Sequence, residues 1–444
     1  MRKRVFLLFT TGLFVLCLAV LFAALFTPLR ERLSWRLASW QAKIVRLLNP
    51  PEQIVFIPGN TSQPGLEQTV AQATLAVLLP TPSSSLDLPS TASASLQTLV
   101  PAADPLPSPT PSPSPTALPE KALLTGIVHE YQQFNNCGPA NLAMALSFWG
   151  WQGDQRDTRA YLRPRREVDD KNVNPAEMVD FVEQFTGLDA LARVGGDLDL
   201  LRRLLAAGFP VLIEAGHHPP KDWWMGHYLV VSGYDDQQRL FTVQDSLANP
   251  DLPLSYDELE ARWWRDFNYV YRVIYPPERQ AELAQILGER LDEDQSYRLA
   301  EQKALEEIST LQGRDLFFAW FNLGSSRVGL GDYTGAAQAF DQAFELYQGL
   351  SEDQRPYRLL WYQDTPYRAY YNSGRHQDVV DLANITFSWV GQPVLEESYY
   401  WRGMAYLALG MQPRAVADFT KAASLNPNFA PPRQELERLG EPIP

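Results

Sequence analysis

Twenty-two consecutive positions, Val5–Phe26 (VFLLFTTGLFVLCLAVLFAALF), carry no charge. As a helix rising about 1.5 Å per residue this stretch spans roughly 33 Å, the depth of a bilayer core, and it predicts a transmembrane anchor. A cleaved signal peptide would have a shorter apolar stretch, about 7–15 residues, with small residues at its end. Cys17 follows bulky Val15 and Leu16, which does not suit lipoprotein processing, so it reads as an apolar filler. Next, Leu29, Leu33, Leu37, Trp40, Ile44 and Leu47 recur at three- and four-residue spacing between Arg32, Arg36, Lys43 and Arg46. That pattern predicts an amphipathic helix lying in the headgroup layer, its arginines reaching to the interface.

The periodicity then stops. Between Pro80 and Pro119, 25 of 40 residues are Pro, Ser or Thr, too few apolar groups to bury a core, which predicts an extended spacer. Beyond it, helix-spaced apolar residues return in Ala140–Phe148, Glu177–Phe185 and Leu198–Ala207. Val211–Ile213, Tyr228–Val231, Leu240–Val243 and Tyr269–Ile274 read as strands. Helices first and strands after suggest an α+β layer domain, closed by Pro276–Pro277. The expected division is 1–50 for the anchor and interfacial helix, 51–120 for the linker, 121–277 for the α+β domain and 278–444 for a helical remainder.

Charge adds an orientation. The net charge is -14, which argues against a nucleic-acid partner, because neutralising phosphates needs a basic surface. The first fifty residues run the other way, with Arg2, Lys3, Arg4, Arg30, Arg32, Arg36, Lys43 and Arg46 against Glu31 alone, as expected beside a membrane. Basic residues flank the span on both sides, so their count does not orient it. The spacer favours a cytoplasmic start and a body outside the cell, giving a single-pass membrane protein whose domains are extracytoplasmic. With Cys17 assigned to lipid, Cys137 is a lone thiol and no disulfide framework is expected.

Cys137 is where chemistry is expected. In QQFNNCGPANLAMAL, Asn135 and Asn136 are good helix caps and Pro139 suits a first turn, so the thiol should sit at a helix N-terminus. The positive end of the backbone dipole there favours thiolate. The competing reading is a small buried hydrophobe. A thiolate needs a base, and His227 heads an apolar strand in GHYLVVSGYDD, whereas His217 and His218 fall in the loop EAGHHPP and His129 and His376 have no comparable setting. Asp245 ends the strand LFTVQ, and a neighbouring strand would bring its carboxylate to His227; alternatively it forms an Asx turn before Ser246. Trp223, Trp224 and Met225 beside the proposed base read either as an apolar substrate wall or as core. Zinc is disfavoured, since adjacent histidines on a strand point to opposite faces, there is no thiolate pair and no HExxH occurs. No metal and no cofactor are expected.

The order QxxxxCGPA, GHYLVVxGYD and a strand ending in Asp resembles papain-like cysteine peptidases of family 39, the group typified by bacteriocin-processing, double-glycine leader peptidases. It is more similar to their stand-alone relatives than to the transporter-fused domain, over about Leu123–Tyr275. The resemblance implies a papain-like fold with Cys137 as nucleophile, His227 as general acid/base, Asp245 as its orienter and an upstream glutamine as oxyanion donor. Gln132 and Gln133 both stand in place for that last role, with Gln132 preferred. The absence of an ATP-binding Gly-rich Lys-Ser/Thr loop removes the exporter architecture and any presumption of double-glycine substrates.

Gly324, Gly331, Ala336, Phe340 and Ala343 have the same spacing as Gly403, Gly410, Ala415, Phe419 and Ala422. These units resemble tetratricopeptide repeats, joined by Trp320, Leu323 and Tyr333 in the first and Tyr406 and Pro427 in the last, with a looser middle unit around Tyr367, Gly374 and Ala383. Such a solenoid implies a protein partner, or else a brace for the peptidase domain; Tyr367, Tyr370, Tyr371, Tyr399 and Tyr400 are expected mostly in its core. The expectation is therefore an α+β papain-like cysteine peptidase domain followed by an all-α tetratricopeptide solenoid, on an N-terminal transmembrane helix. It would cleave a peptide or protein substrate. The alternatives are a catalytically inactive anchored scaffold and a cysteine amidase or transferase built on the same dyad.

Overall fold

The computed structural model describes residues 40, 44, 55–59, 117–165, 173–218, 224–390 and 394–444. The apolar span Val5–Phe26, most of the Pro/Ser/Thr segment and Trp223 lie outside these residues. Among the described residues no helix is long and apolar enough to cross a membrane. Trp40 and Ile44, one turn apart on the expected amphipathic stretch, are helical and exposed.

The mixed region is one antiparallel sheet with helices on both faces. Its strands are β1 (Lys121–Leu123), β2 (Asp189–Arg193), β3 (Val211–His217), β4 (Met225–Asp235), β5 (Leu240–Gln244), β6 (Leu252–Ser255) and β7 (Tyr271–Tyr275). Their order is β2-β7-β3-β4-β5-β6, with β1 pairing the end of β4. Side chains alternate across a strand, so β3 serves two cores. Val211 and Ile213 face one that includes Leu200, Leu201 and Leu204 of α4 (Leu198–Ala206). Leu212 faces another, with Leu142 and Leu146 of α1 (Cys137–Phe148) and Met178 and Val182 of α3 (Pro175–Phe185). Between α1 and α3 lies α2 (Gln155–Leu162), whose polar sequence QRDTRAYL gave no apolar period; a capping box between Asp154 and Asp157 starts it.

The helical remainder comprises α5 (Gln280–Leu287), α6 (Glu293–Ile308), α7 (Gly313–Gly329), α8 (Tyr333–Gly349), α9 (Leu359–Tyr362), α10 (Thr365–Asn372), α11 (His376–Ser388), α12 (Glu396–Ala408), α13 (Gln412–Leu425) and α14 (Ala430–Leu439). Three helix pairs, α7/α8, α10/α11 and α12/α13, each turn on a glycine in the left-handed region, Gly331 (φ +78°), Gly374 (φ +79°) and Gly410 (φ +77°). In the outer pairs a glycine lets the partner helix's phenylalanine in. A Cβ on Gly324 would lie 2.7 Å from Phe340, and one on Gly403 2.7 Å from Phe419. The middle pair exchanges the roles. Relative to the turn glycine, Tyr367 occupies the place of Gly324 and Ala383 that of Phe340, both fully buried. The aromatic and the small residue are thus exchanged between the two helices, which is why the middle unit matched loosely.

The helices brace the sheet domain. Asn322 donates to the Arg265 carbonyl at 2.8 Å, Asn268 to Ser326 at 3.0 Å, and Arg265 pairs with Glu307 at 3.0 Å. Trp224, undecided between substrate wall and core, is buried in this seam. Its indole N–H donates to Asp266 at 2.7 Å and its ring packs on Phe267 and on Phe318 of α7. Burial pushes the Asp266 carboxyl up to about 6, against the opposing pull of Arg314 and Trp224. The folded chain thus keeps a proton that an unfolded Asp loses near 3.9. Stability gained from this group rises as pH falls from 7 through 6 and stops rising below about 4. Thermal melts across pH 4–7 are expected to show this increment in the wild-type chain and not in Asp266→Asn.

Candidate active site

The helix start forms where expected, with Cys137 the first residue of α1 and buried. Its cap differs from expectation. Asn136 occupies the N-cap position, but its side chain makes no capping bond; its amide donates to Gln155 Oε1 at 2.8 Å instead. Gln155 also accepts from the Gln133 N–H at 2.8 Å and donates to the Tyr131 carbonyl at 2.9 Å. The Arg163 guanidinium donates to the Asn135 carbonyl. Asn135 itself stands at φ +51°, a conformation that Asn tolerates better than most residues. The loop that turns into α1 is therefore clamped by α2, an element without an apolar signature. Gln155 and Arg163 went unread for that reason.

His227 lies near the start of β4 and is buried. Its Nε2 lies 2.8 Å from Asp245 Oδ1, just past the end of β5, which pairs with β4. The ring's other nitrogen is left for the Cys137 sulfur, to which the imidazole is also hydrogen-bonded. Burial lowers the imidazole's proton affinity, but the bonds and charges of Asp245 and Cys137 outweigh it and raise its pKa to about 10. The Asp245 carboxyl is partly buried, which works against ionisation. The hydrogen bond and charge of His227, with the N–H groups of Leu247 and Ala248, nevertheless hold it below the usual range. Asp245 Oδ1 accepts from Leu247 N–H at 2.8 Å, so the same oxygen makes both the Asx turn and the histidine contact.

Gln132 joins this group through two residues that were not anticipated. Asn141, one turn after Cys137, donates to the Cys137 carbonyl at 2.9 Å and to Ser246 Oγ at 2.8 Å. The Ser246 hydroxyl in turn donates to Gln132 Oε1 at 2.9 Å. Donor counting then orients the Gln132 amide, with its oxygen on Ser246 and its NH2 left for another acceptor. The Gln132 backbone N–H is also tied to the Ser246 carbonyl at 2.9 Å. The i, i+4 spacing of Cys137 and Asn141 and the Asp245–Ser246 adjacency were the available signals.

Of the other histidines, His217 ends β3 rather than lying in a loop, its ring centroid 5.6 Å from that of His227. His218 is exposed. His129 lies edge-on to Tyr131, its pKa lowered by burial. Among the described residues the group with metal-ligand spacing is Glu177, Glu396 and Glu397, which contains no histidine. The helical remainder reaches the strand that carries His227. Tyr362 of α9 sits against Gly226, next to His227, where a Cβ would lie 3.2 Å from its ring and 2.6 Å from Phe267.

Residues 126–273 match the sequence model of the Peptidase_C39 like family. This segment, about a third of the chain, is thus similar to C39-like peptidases in sequence. Residues 319–349 and 396–429 each match tetratricopeptide repeat models, so the C39-like domain is followed by repeats. Among solved structures, the chain is similar to a protein described as a C39-like peptidase from Bacillus anthracis, at 17% identity over 35% of this chain and 96% of that one, TM-score 0.30. It is also similar to xylellain, a cysteine protease from Xylella fastidiosa, at 15% identity over 36% and 87% of the two chains, TM-score 0.29. No curated protein matches the chain.

Proposed function

We propose that the C39-like domain is a working cysteine peptidase, hydrolysing a peptide bond with Cys137 as nucleophile, His227 as general acid and base and Asp245 as its orienting carboxylate. The observation that carries this reading is the buried His227 bonded to both Asp245, at 2.8 Å, and Cys137. Such a ring favours imidazolium beside thiolate, the pair that a thiol nucleophile needs near neutral pH. A scaffold that only binds peptides has no use for it.

The chemistry follows from the positions. The Cys137 sulfur attacks the scissile carbonyl carbon and its oxygen gains the charge. Collapse breaks the C–N bond, the His227 imidazolium gives its proton to the departing amine and a thioester remains. Water, deprotonated by His227, attacks the thioester and releases acid and thiolate. The Gln132 NH2 and a backbone N–H at the start of α1 are the donors for the oxyanion. The bond from the Ser246 hydroxyl to Gln132 Oε1, which leaves the Gln132 NH2 for another acceptor, supports Gln132 for this role. Removing one such donor typically costs about 2.7–4 kcal/mol, or 10²–10³ in rate. Gln132→Ala is expected to lose that much kcat with full-length protein on a peptide-library substrate, and Gln133→Ala to lose little. The reverse order would exchange the two glutamines.

Membrane anchoring through Val5–Phe26, with the domains outside the cytoplasm, completes the proposal. It rests on the uncharged span and its basic flanks. Fractionation of cells expressing the full chain, with protease protection of intact spheroplasts, tests it: the body should pellet with membranes and be digested from outside. The repeats support protein–protein interaction as their general role, and their seam with the C39-like domain supports a bracing role beside it.

A further inference from the structure

Residues 55–59 lie far from the repeats in sequence, yet they are seated on them. Phe56 is 1% exposed. Its ring stands edge-on to Phe344 of α8 at 5.0 Å between centroids and tilted against Tyr370 of α10 at 5.9 Å. Three residues on, the Gly59 N–H donates to Asp378 Oδ1 of α11 at 2.9 Å. Pro58 has no N–H, so Gly59 carries the next donor after Ile57. Gly59 also stands at φ +70°, which side chains rarely adopt.

The receiving surface is braced by its own helices. Asp378 Oδ2 accepts from Arg375 at 2.6 Å, and Arg375 bonds Asp341 at 2.7 Å. The same guanidinium lies 4.4 Å over the Tyr370 ring, whose hydroxyl donates to Asp341 at 3.0 Å. The carboxylate that meets the peptide N–H is thus held from its other oxygen, and the aromatic floor is held from its hydroxyl. The guest contributes one buried ring and one backbone donor, with no shared sheet ladder.

We propose that α8, α10 and α11 form a recognition site for a short peptide bearing an aromatic residue and, three positions later, a glycine at a turn. Its occupant is this chain's own Phe56–Gly59. The far end of the intervening segment is also held, because the Pro119 carbonyl accepts from Tyr234 at 2.6 Å and β1 pairs with β4. The body therefore holds the chain on both sides of the Pro/Ser/Thr-rich stretch, at Gly59 and at Pro119. Tethering gives the own segment an effective concentration of about millimolar order, so it outcompetes weaker free ligands and yields only to a better peptide of the same kind.

The test uses the full chain in mild detergent with a specific protease site inserted between residues 60 and 117. After cleavage, the N-terminal fragment is expected to co-elute with the body at the mass of one chain, and excess synthetic peptide spanning residues 52–60 should displace it. Phe56→Ala removes a buried aromatic anchor and should weaken retention at least about thirty-fold. Gly59→Val should weaken it by strain alone, leaving α8, α10 and α11 untouched. The body's melting temperature, measured on each variant, separates lost docking from a damaged fold. Release of the wild-type fragment on cutting, or retention of the Phe56→Ala fragment as tightly as wild type, overturns the proposal. Co-elution only at the mass of two chains assigns the site to a second copy and overturns its occupation by the chain's own segment. None of these readouts depends on peptidase activity.

Discussion

Cys137→Ala is expected to abolish peptide hydrolysis, lowering kcat by at least about 10⁴. Alanine leaves no atom to form the thioester, and the neighbouring donors can act only on a poorly activated water. His227→Ala should cost as much, because the buried thiol then loses both its partner and the proton donor for the leaving amine. The double variant should fall no further, since groups that act as one unit are not additive. Single-turnover assays with full-length protein decide this. Hydrolysis persisting in Cys137→Ala would move the chemistry elsewhere, and additive losses would separate the two residues.

Asp245→Ala carries the second large effect, about 10²–10⁴ in kcat. Its oxygen is bonded to His227 Nε2 at 2.8 Å, which fixes the ring's orientation. The same carboxylate contributes to raising the His227 pKa to about 10. The sign of the pH effect follows. A raised pKa keeps the imidazolium available as proton donor up to about pH 10, and loss of Asp245 removes part of that rise. The alkaline limb of kcat/KM should therefore move to lower pH in Asp245→Ala. Activity lowered with an unmoved alkaline limb would reduce Asp245 to its turn-making bonds with Leu247 and Ala248.

The parts of the fold legible in the sequence are those with a period. Helix α1 and the strands β3 to β5 followed from apolar spacing, the outer repeats from their matched glycine, alanine and phenylalanine positions, and His227 was distinguished by its place at the head of a strand. Three features had no such signal. Helix α2 is polar, held by a capping box and by Gln155, whose partners are 19 to 24 residues away. The relay from Asn141 through Ser246 to Gln132 spans 105 and 114 residues; each of its members is an ordinary polar residue in its own neighbourhood. The placement of Phe56 depends on α8 and α10, which sequence spacing cannot bring to a segment on the far side of a Pro-rich stretch. Asn136 shows the opposite error. Its type suited a cap, but a buried glutamine claimed its side chain first.

The repeats were read as partner-binding or bracing, and the seam through Trp224, Asp266 and Asn322 supports bracing at least. It has a consequence for the site, since Tyr362 reaches Gly226 from the repeat side. The residue before His227 therefore packs against the helical remainder of the chain.

The central claim is that His227 and Cys137 form an ion pair near neutral pH. It is tested most directly by the pH dependence of Cys137 alkylation with iodoacetamide, followed by peptide mass mapping in the full chain so that Cys17 is read separately. The account predicts rapid labelling of Cys137 that persists well below pH 7 and loses that persistence in His227→Ala. An inert thiol, or the same labelling profile in both proteins, would contradict it.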